Sequence, residues 1–256
     1  MDFRLQGKNA LILGGTRGIG RAIAETLAAE GCNIGICARN PDQVKGTVAA
    51  LAATGIKATG ASVDITDGKA LKAWIQEAGE QLGGIDILVS NASALAIGNT
   101  EEAWRGGFDI DIMGAQRSVD AALPSLEAAA ENNGDAAILF VSSVSAAETT
   151  NISAYGAIKA ALIHFAKGVA KEYAPKNIRA NVVSPGTVYF KGGVWNMIEE
   201  NMPDVFNETL DRNPMGRMAT PQDIANAAAF LVSPVSSFTT GVNLVVDGAI
   251  TSRINF

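Results

Sequence analysis

The sequence predicts an α/β protein, a doubly wound parallel sheet of about seven strands with helices on both faces. Three observations carry this. Short apolar, β-branched runs alternate with amphipathic helical stretches along the whole chain. A glycine-rich turn, Gly14-Gly15-Thr16-Arg17-Gly18-Ile19-Gly20, stands between the first such strand and the first helix. A later apolar run, Ala136 to Val141, ends in Ser142 and Ser143 and is followed by a helix carrying Tyr155 and Lys159. Open α/β sheets place their sites at such strand ends.

With 256 residues and no internal repeat, linker or low-complexity tract, one domain spanning 1–256 is expected. The net charge of −6 argues against a nucleic-acid or anionic-membrane partner. No apolar run approaches the roughly 18 residues of a membrane span. The start, MDFRLQGK, leads straight into a strand without an apolar signal segment, so a cytoplasmic location is expected. Cys32 and Cys37 fall on opposite faces of one strand-like segment and are expected to be free, buried thiols. One histidine and no Cys/His cluster leave no ligand set for a structural metal.

Asn9 to Leu13 reads as the first strand. In the turn after it, Gly14 permits the reversal, Gly18 lets backbone approach a pyrophosphate, and Gly20 lets helix pack on strand. The helix runs from Arg21 to Glu30. Strand, glycine turn and helix together are the context for dinucleotide binding, although glycines that only make a turn would look alike. Asn33 to Ala38 is the second strand, ending at Arg39. A carboxylate near this point would bond a free ribose 2′-OH. Ala38 and Arg39 stand there instead, with Arg17 rising from the turn; two guanidiniums suit a 2′-phosphate, and so NADP(H) rather than NAD(H). Either arginine alone would pass for an ordinary exposed one.

Pro41 to Ala53 is a helix, and Lys57 to Val63 a third strand ending at Asp64, a candidate for bonding adenine. Asp67 to Leu82 is the next helix and Ile85 to Val89 the fourth strand. The small residues Ser90-Asn91-Ala92-Ser93 after it suit the close approach of a flat ring. Glu101 to Glu131 reads as helix with a change of direction near Gly114, and Asp111 lies on it. Ile178 to Val183 is a further strand, leading into Ser184-Pro185-Gly186-Thr187. Residues 188–216 break the alternation with Tyr189, Phe190, Trp195, Phe206 and the three methionines Met197, Met202 and Met215, which reads as a helical lid over the site. A methionine stripe is nonetheless more often core than substrate wall. Pro221 to Leu231 is a helix capped by Thr220, and Val242 to Val246 the last strand.

Tyr155 and Lys159, four apart on one helical face, can converge. An ammonium beside a phenol favours the phenolate, which suits proton exchange near neutral pH. A serine hydroxyl from the preceding strand end would hold a carbonyl or alcohol oxygen against the pair.

These residues resemble the short-chain dehydrogenase/reductase family, in its 3-oxoacyl-reductase-like branch, over essentially the whole chain. The glycine turn 14–20, Asp64, Asn91-Ala92, Ser143, Tyr155-x-x-x-Lys159 and Pro185-Gly186 fall in the family's order and spacing. The resemblance implies a Rossmann-type sheet, a nicotinamide cofactor and reversible carbonyl–alcohol chemistry. It makes Tyr155 the general acid of reduction, with Lys159 favouring its phenolate and bonding the nicotinamide ribose, and Ser143 orienting the substrate oxygen. The implied cofactor contacts are Gly14, Thr16, Arg17, Gly18, Ile19, Gly20, Arg39, Asp64, Ile65, Asn91, Ala92, Tyr155, Lys159, Pro185, Gly186, Thr187 and Val188.

The chain departs from the family pattern in four ways. Leu13 replaces a threonine, and Ser90 and Ser93 replace the residues that usually flank Asn91-Ala92. Ser143 precedes Tyr155 by 12 residues, one fewer than usual, while Ser142 gives the usual interval; the second serine of such a pair is the one expected to act. Asp111 stands where the family has a catalytic asparagine, whose backbone carbonyl holds a relay water near the lysine; a carboxylate there could instead act on the lysine itself.

The leading reading is an NADP-dependent reductase or dehydrogenase of an apolar or bulky carbonyl or alcohol. A 3-oxoacyl thioester on an acyl carrier protein ranks lower, because Glu127, Glu131 and Asp135 put acid where such a carrier would want base. A catalytically silent nucleotide-binding regulator is the rival from another class, favoured only by Asp111. The Ala-rich helices 114–131 and 154–174 and the apolar C-terminal region ending at Phe256 suggest a homotetramer, or at least a dimer. His164 is read as a packing or interface residue.

Overall fold

The computed structural model describes residues 2–149 and 152–254; Phe256, part of the expected interface, lies outside them. Seven strands form one parallel sheet: β1 (Asn9–Leu13), β2 (Asn33–Ala38), β3 (Ala58–Ser62), β4 (Ile87–Ser90), β5 (Ala136–Val141), β6 (Ile178–Pro185) and β7 (Asn243–Val246). Their order across the sheet is β3-β2-β1-β4-β5-β6-β7. The order reverses between β1 and β4, which opens a crevice outside their carboxyl ends. There Leu13 pairs with Ser90, so the glycine turn and the Asn91 segment leave the sheet side by side.

β1 and β5 are buried at every residue, because helices cover both sheet faces and leave no polar side to alternate. On one face lie α1 (Gly18–Ala29), α2 (Pro41–Ala52) and, from the far end of the chain, α9 (Pro221–Val232). On the other lie α3 (Gly68–Leu82), α5 (Gly114–Asn133) and α6 (Ala154–Tyr173), with the short α4 (Glu101–Gly107) leading into α5. Helices α7 (Val194–Asn201) and α8 (Pro203–Asp211) follow β6. Cys37 belongs to one core and Cys32 to the other; both are free, and burial pushes both thiols up to about 12. Among the described residues no helix is long and apolar enough to cross a membrane.

Two contacts set where α6 stands. Phe165 meets Phe140 of β5 edge-on at 5.7 Å, an arrangement of about 0.5–1.5 kcal/mol beyond simple burial. Ser142, just past β5, donates its hydroxyl to the Lys159 carbonyl at 3.0 Å. At the opposite end of the sheet, buried Arg179 of β6 ties Asp135 (2.6 Å) to the carbonyls of Leu231 and Ser233 at the C-terminal end of α9.

The single helix expected over 101–131 is corrected by the structure. Between α4 and α5, Phe108–Met113 wind as a π-helical turn, and this turn carries Asp111. The wider turn re-aims side chains relative to an unbroken α-helix. β6 continues two residues past Val183, because Ser184 and Pro185 still pair with Val245 and Val246 of β7.

Candidate active site

The site lies along the carboxyl ends of β1, β4, β5 and β6. Its first wall is the glycine turn. Gly14, at φ +76°, donates its amide to the Cys37 carbonyl and reverses the chain. Gly20 sits so close beneath it that a Cβ there would overlap the Gly14 carbonyl oxygen and Asn91 Nδ2. No side chain caps the first turn of α1. The amides of Gly18, Ile19 and Gly20 therefore lack intrahelical acceptors and face an anion with the positive end of the helix dipole.

Asn91 does something its position after β4 did not reveal. Its side-chain amide donates to Gly14 O at 3.0 Å and Leu13 O at 3.3 Å, bracing the glycine turn across the switch point. Thr16 is bonded to Gln43 of α2 at 3.3 Å. Arg17 and Arg39 are both exposed, and among the described residues neither guanidinium has a partner. Asp64 accepts from the amide and hydroxyl of Thr66 at 3.0 and 2.8 Å. These bonds, the amide first, hold its carboxyl below the usual carboxylate range, and Arg39 adds a smaller pull. The side chains of Ile65 and Val188 are in the two cores, which leaves their backbone to line the crevice. Gly186 packs on Asp247, where a Cβ would not fit, and donates its amide to Val246 O. Thr187 Oγ1 accepts from buried Asn213 at 3.1 Å.

The second wall is the end of β5 and the start of α6. Lys159 is buried, yet its ammonium reaches three groups: Val141 O at 3.0 Å, Asp111 Oδ1 at 2.8 Å and the Tyr155 ring, 5.7 Å from its centroid. The Asp111 contact is an ion pair without hydrogen-bond alignment at Oδ1. The other oxygen of Asp111 accepts from Ala94 N at 2.9 Å. Of the two roles expected at this position, the direct action of a carboxylate on the lysine has its contact in the structure. Ser142 and Ser143 part company: Ser142 is spent on the Lys159 carbonyl, while Ser143 Oγ accepts from Ser145 N at 3.1 Å and keeps its hydrogen to donate. Tyr155 is half-buried, and its hydroxyl has no partner among the described residues.

Residues 188–216 contribute an unexpected neighbour. The Phe190 ring lies against Gly18 and Gly193, where a Cβ on either would fall into the ring. The methionines of this segment are not core: Met197, Met202 and Met215 are all exposed, and neither α7 nor α8 has a buried residue. Tyr189 packs edge-on against Phe206 at 5.9 Å and bonds Glu199, whose carboxylate pushes the phenol up. A separate polar cleft of about 500 Å³ opens at the other end of the sheet, but its acid, Asp86, is already taken by Lys8, Asn9 and Asn133.

A switch-point crevice with a backbone anion cradle, next to a Ser, Tyr and Lys cluster, defines an oxidoreductase of the nicotinamide-dependent type. The comparisons agree. Residues 14–251 match the family model described as enoyl-(acyl carrier protein) reductase. The chain is 35% identical over 253 residues to isoepoxydon dehydrogenase of Penicillium expansum, covering 96% of this chain and 95% of the relative. Among solved structures it resembles L-sorbose reductase of Gluconobacter frateurii complexed with NADPH and L-sorbose, with a TM-score of 0.89 at 29% identity, covering 99% of this chain and 100% of that one. It resembles equally a 7α-hydroxysteroid dehydrogenase complexed with NADH and 7-oxo glycochenodeoxycholic acid, with a TM-score of 0.89 at 31% identity over 99% of this chain and 98% of that one. The chain belongs to the short-chain dehydrogenase/reductase family and is an oxidoreductase acting on CH–OH groups with an NAD(P)(H) cofactor.

The tightest packing in the cradle yields a prediction. Gly20→Ala forces a methyl into the Gly14 carbonyl and Asn91, at about 1–3 kcal/mol of stability for overpacking. Thermal melts should show the loss, and cofactor titration should show weaker binding. Wild-type affinity in the variant would mean that the turn does not hold the cofactor.

Proposed function

We propose that the chain is an NADP(H)-dependent enzyme interconverting an apolar or bulky carbonyl compound and its secondary alcohol. It works as one Rossmann-type NAD(P)-binding domain, 1–256, with a lid at 188–216. The observation that carries this reading is the Lys159 ammonium, buried and fixed 5.7 Å from the centre of the Tyr155 ring beside the strand end that bears Ser143.

In reduction Tyr155 gives its hydroxyl proton to the substrate oxygen, and in oxidation it takes it back. The Lys159 ammonium offsets the charge that develops on the phenolic oxygen as the proton leaves. Ser143 donates to the substrate oxygen while the Ser145 amide fixes its hydroxyl. Turning Ser142 into α6 supports Ser143, not Ser142, in this part. The nicotinamide, when bound, supplies or accepts the hydride.

The residues present fit such a cofactor. Gly14, Thr16, Gly18, Ile19 and Gly20 would take the pyrophosphate through backbone, and Asp64 with the Ile65 backbone the adenine. Asn91, Ala92, Pro185, Gly186, Thr187 and Val188 would line the nicotinamide end, with Tyr155 and Lys159 at its ribose. Arg17 and Arg39, unpaired and exposed on either side of the second strand's end, would take a 2′-phosphate. Phe190 must turn aside for Gly18 to reach a pyrophosphate, which ties entry of the cofactor to movement of the lid.

The exposed Met197, Met202, Val205 and Met215 give the lid an apolar surface and support an apolar substrate. The carrier-protein reading is disfavoured by the acidic end of α5, where Glu127 and Asp135 already pair with Lys176 and Arg179. A silent regulator would not need an intact Ser143, Tyr155 and Lys159. The exposed Phe230, Phe238 and Val242, the half-buried edge strand β7 and the exposed His164 on α6 support a homotetramer. The free, buried thiols of Cys32 and Cys37 support a reducing compartment, and so a cytoplasmic location.

Three measurements test this. NADPH oxidation with a panel of ketones should be fastest for bulky apolar ones, and Tyr155→Phe should cut turnover by about 10²- to 10⁴-fold with NADPH binding kept; a variant turning over like the wild type would sink the assignment. Arg17→Ala with Arg39→Ala should weaken NADPH by about tenfold to a hundredfold per arginine engaged and NADH little, and equal efficiency with NADH in the unmodified enzyme contradicts the choice. Sedimentation should report a tetramer, and monomer alone at micromolar concentration refutes it.

A further inference from the structure

Asp111 presents one carboxylate oxygen to each of two N–H-bearing groups, accepting a hydrogen bond at Oδ2 and making a close ion pair at Oδ1. On one side is the Lys159 ammonium, 2.8 Å from Oδ1; on the other is the Ala94 amide, 2.9 Å from Oδ2. Both lysine and aspartate are buried, with 3% and 2% of their side chains exposed, so no water readily substitutes for either partner. An asparagine in the same place offers one acceptor and one donor. Set with its oxygen toward Ala94, its NH₂ meets the ammonium. Flipped, its NH₂ meets the Ala94 N–H. Either way two donors oppose each other in a dry site.

The Ala94 end of this contact belongs to the loop between β4 and α4. That loop has its own tension and its own reach. Leu95 holds a left-handed φ of +50°, which a non-glycine side chain adopts only where neighbours hold it. Ser93 Oγ accepts from Leu95 N at 3.1 Å, and Gly98 O accepts from Ala154 N at 3.0 Å, at the first residue of the helix that bears Tyr155. The loop therefore touches α6 at its start, and through Asp111 it touches α6 again one turn beyond Tyr155, at Lys159.

We propose that Asp111 is a positioning residue whose carboxylate locks the 91–100 loop to Lys159, and that the two donors facing it make a two-acceptor side chain obligatory here. The proposal rests on the role given above to Tyr155 and Lys159, and it adds a cause for the aspartate: in this chain asparagine, the residue the family pattern has at this position, is the wrong one. The loop carries Leu95 and Ile97, both exposed at the site's edge of the sheet, so the lock sets the substrate side of the crevice as well as the lysine.

The test is Asp111→Asn, a change of one atom. Hydrogen exchange followed by mass spectrometry should find the Ala94 amide protected in the unmodified protein. In Asp111→Asn that amide should exchange faster while peptides from β5 keep their protection. With the best ketone of the panel, kcat/KM should fall by about tenfold to a hundredfold, with KM raised as the loop loosens. A structural role alone would leave KM untouched in protein that remains folded. Unchanged Ala94 exchange, or a kcat/KM within about twofold of wild type, overturns the proposal. Rapid Ala94 exchange in the unmodified protein overturns it even if the variant does not fold. If the unmodified protein reduces no ketone, the reading of function fails by itself, and the exchange measurements still decide whether the lock exists.

Discussion

The site depends on one buried charge. An ammonium with 3% of its side chain exposed costs several kcal/mol unless its surroundings replace the water it has lost. Here the replacements come from different parts of the chain: the Val141 carbonyl where β5 ends, the Asp111 carboxylate on the π-helical turn, and the face of Tyr155 one helical turn away. Because each partner belongs to a separate element, the lysine can be satisfied only when β5, the turn and α6 are all in register. The Ser142 bond to the Lys159 carbonyl and the Phe140–Phe165 contact hold that register from below. The geometry proposed for proton transfer is thus a by-product of solvating one cation.

The cofactor side is built on a different principle. It uses backbone and small side chains, since an anion is held by amides at a helix start and a flat ring by close approach. The overall charge of −6 would repel a polyanion at long range, but the local rim is set by Arg17 and Arg39, whose exposed guanidiniums make no ion pair among the described residues. Screening over about 8–10 Å makes the local pattern, not the net charge, decide what binds. Asn91, just past β4, fastens the end of that strand to the last residue of β1 and to the glycine turn.

How much of this was legible in the sequence varies with the physics behind each part. β1, β2 and β5 are found at the residues expected, because continuous burial writes an uninterrupted apolar run. The glycine turn was legible because positive φ and close packing demand glycine. The π-helical turn at 108–113 was not, since an extra residue per turn leaves no compositional mark on a stretch that remains helical on both sides. The choice between Ser142 and Ser143 could not be made by spacing alone; it depends on which hydroxyl faces a backbone carbonyl of α6, a tertiary fact. Asp111 was noticed as a departure, but its partner Ala94 was invisible, because any residue but proline supplies the same amide.

The segment after β6 shows why stability and access pull apart. A helix that must stay in place buries an apolar stripe, as α9 does with Ile224, Ala225, Ala228 and Leu231. Helices α7 and α8 bury no residue, and are held by Tyr189 on Phe206, the Tyr189–Glu199 bond and Phe190 on the glycine turn. Elements with so little buried surface open locally at small cost, whereas the sheet beneath opens only with the whole protein. In the lid proposed here, the aromatic cluster serves as the hinge side and the exposed methionines as the moving face. Met adapts its shape to what it meets, so such a face can close on bulky apolar molecules without being tailored to one. The rigid half of the crevice would then fix the reacting atoms, and the loosely held half would decide which molecules reach them.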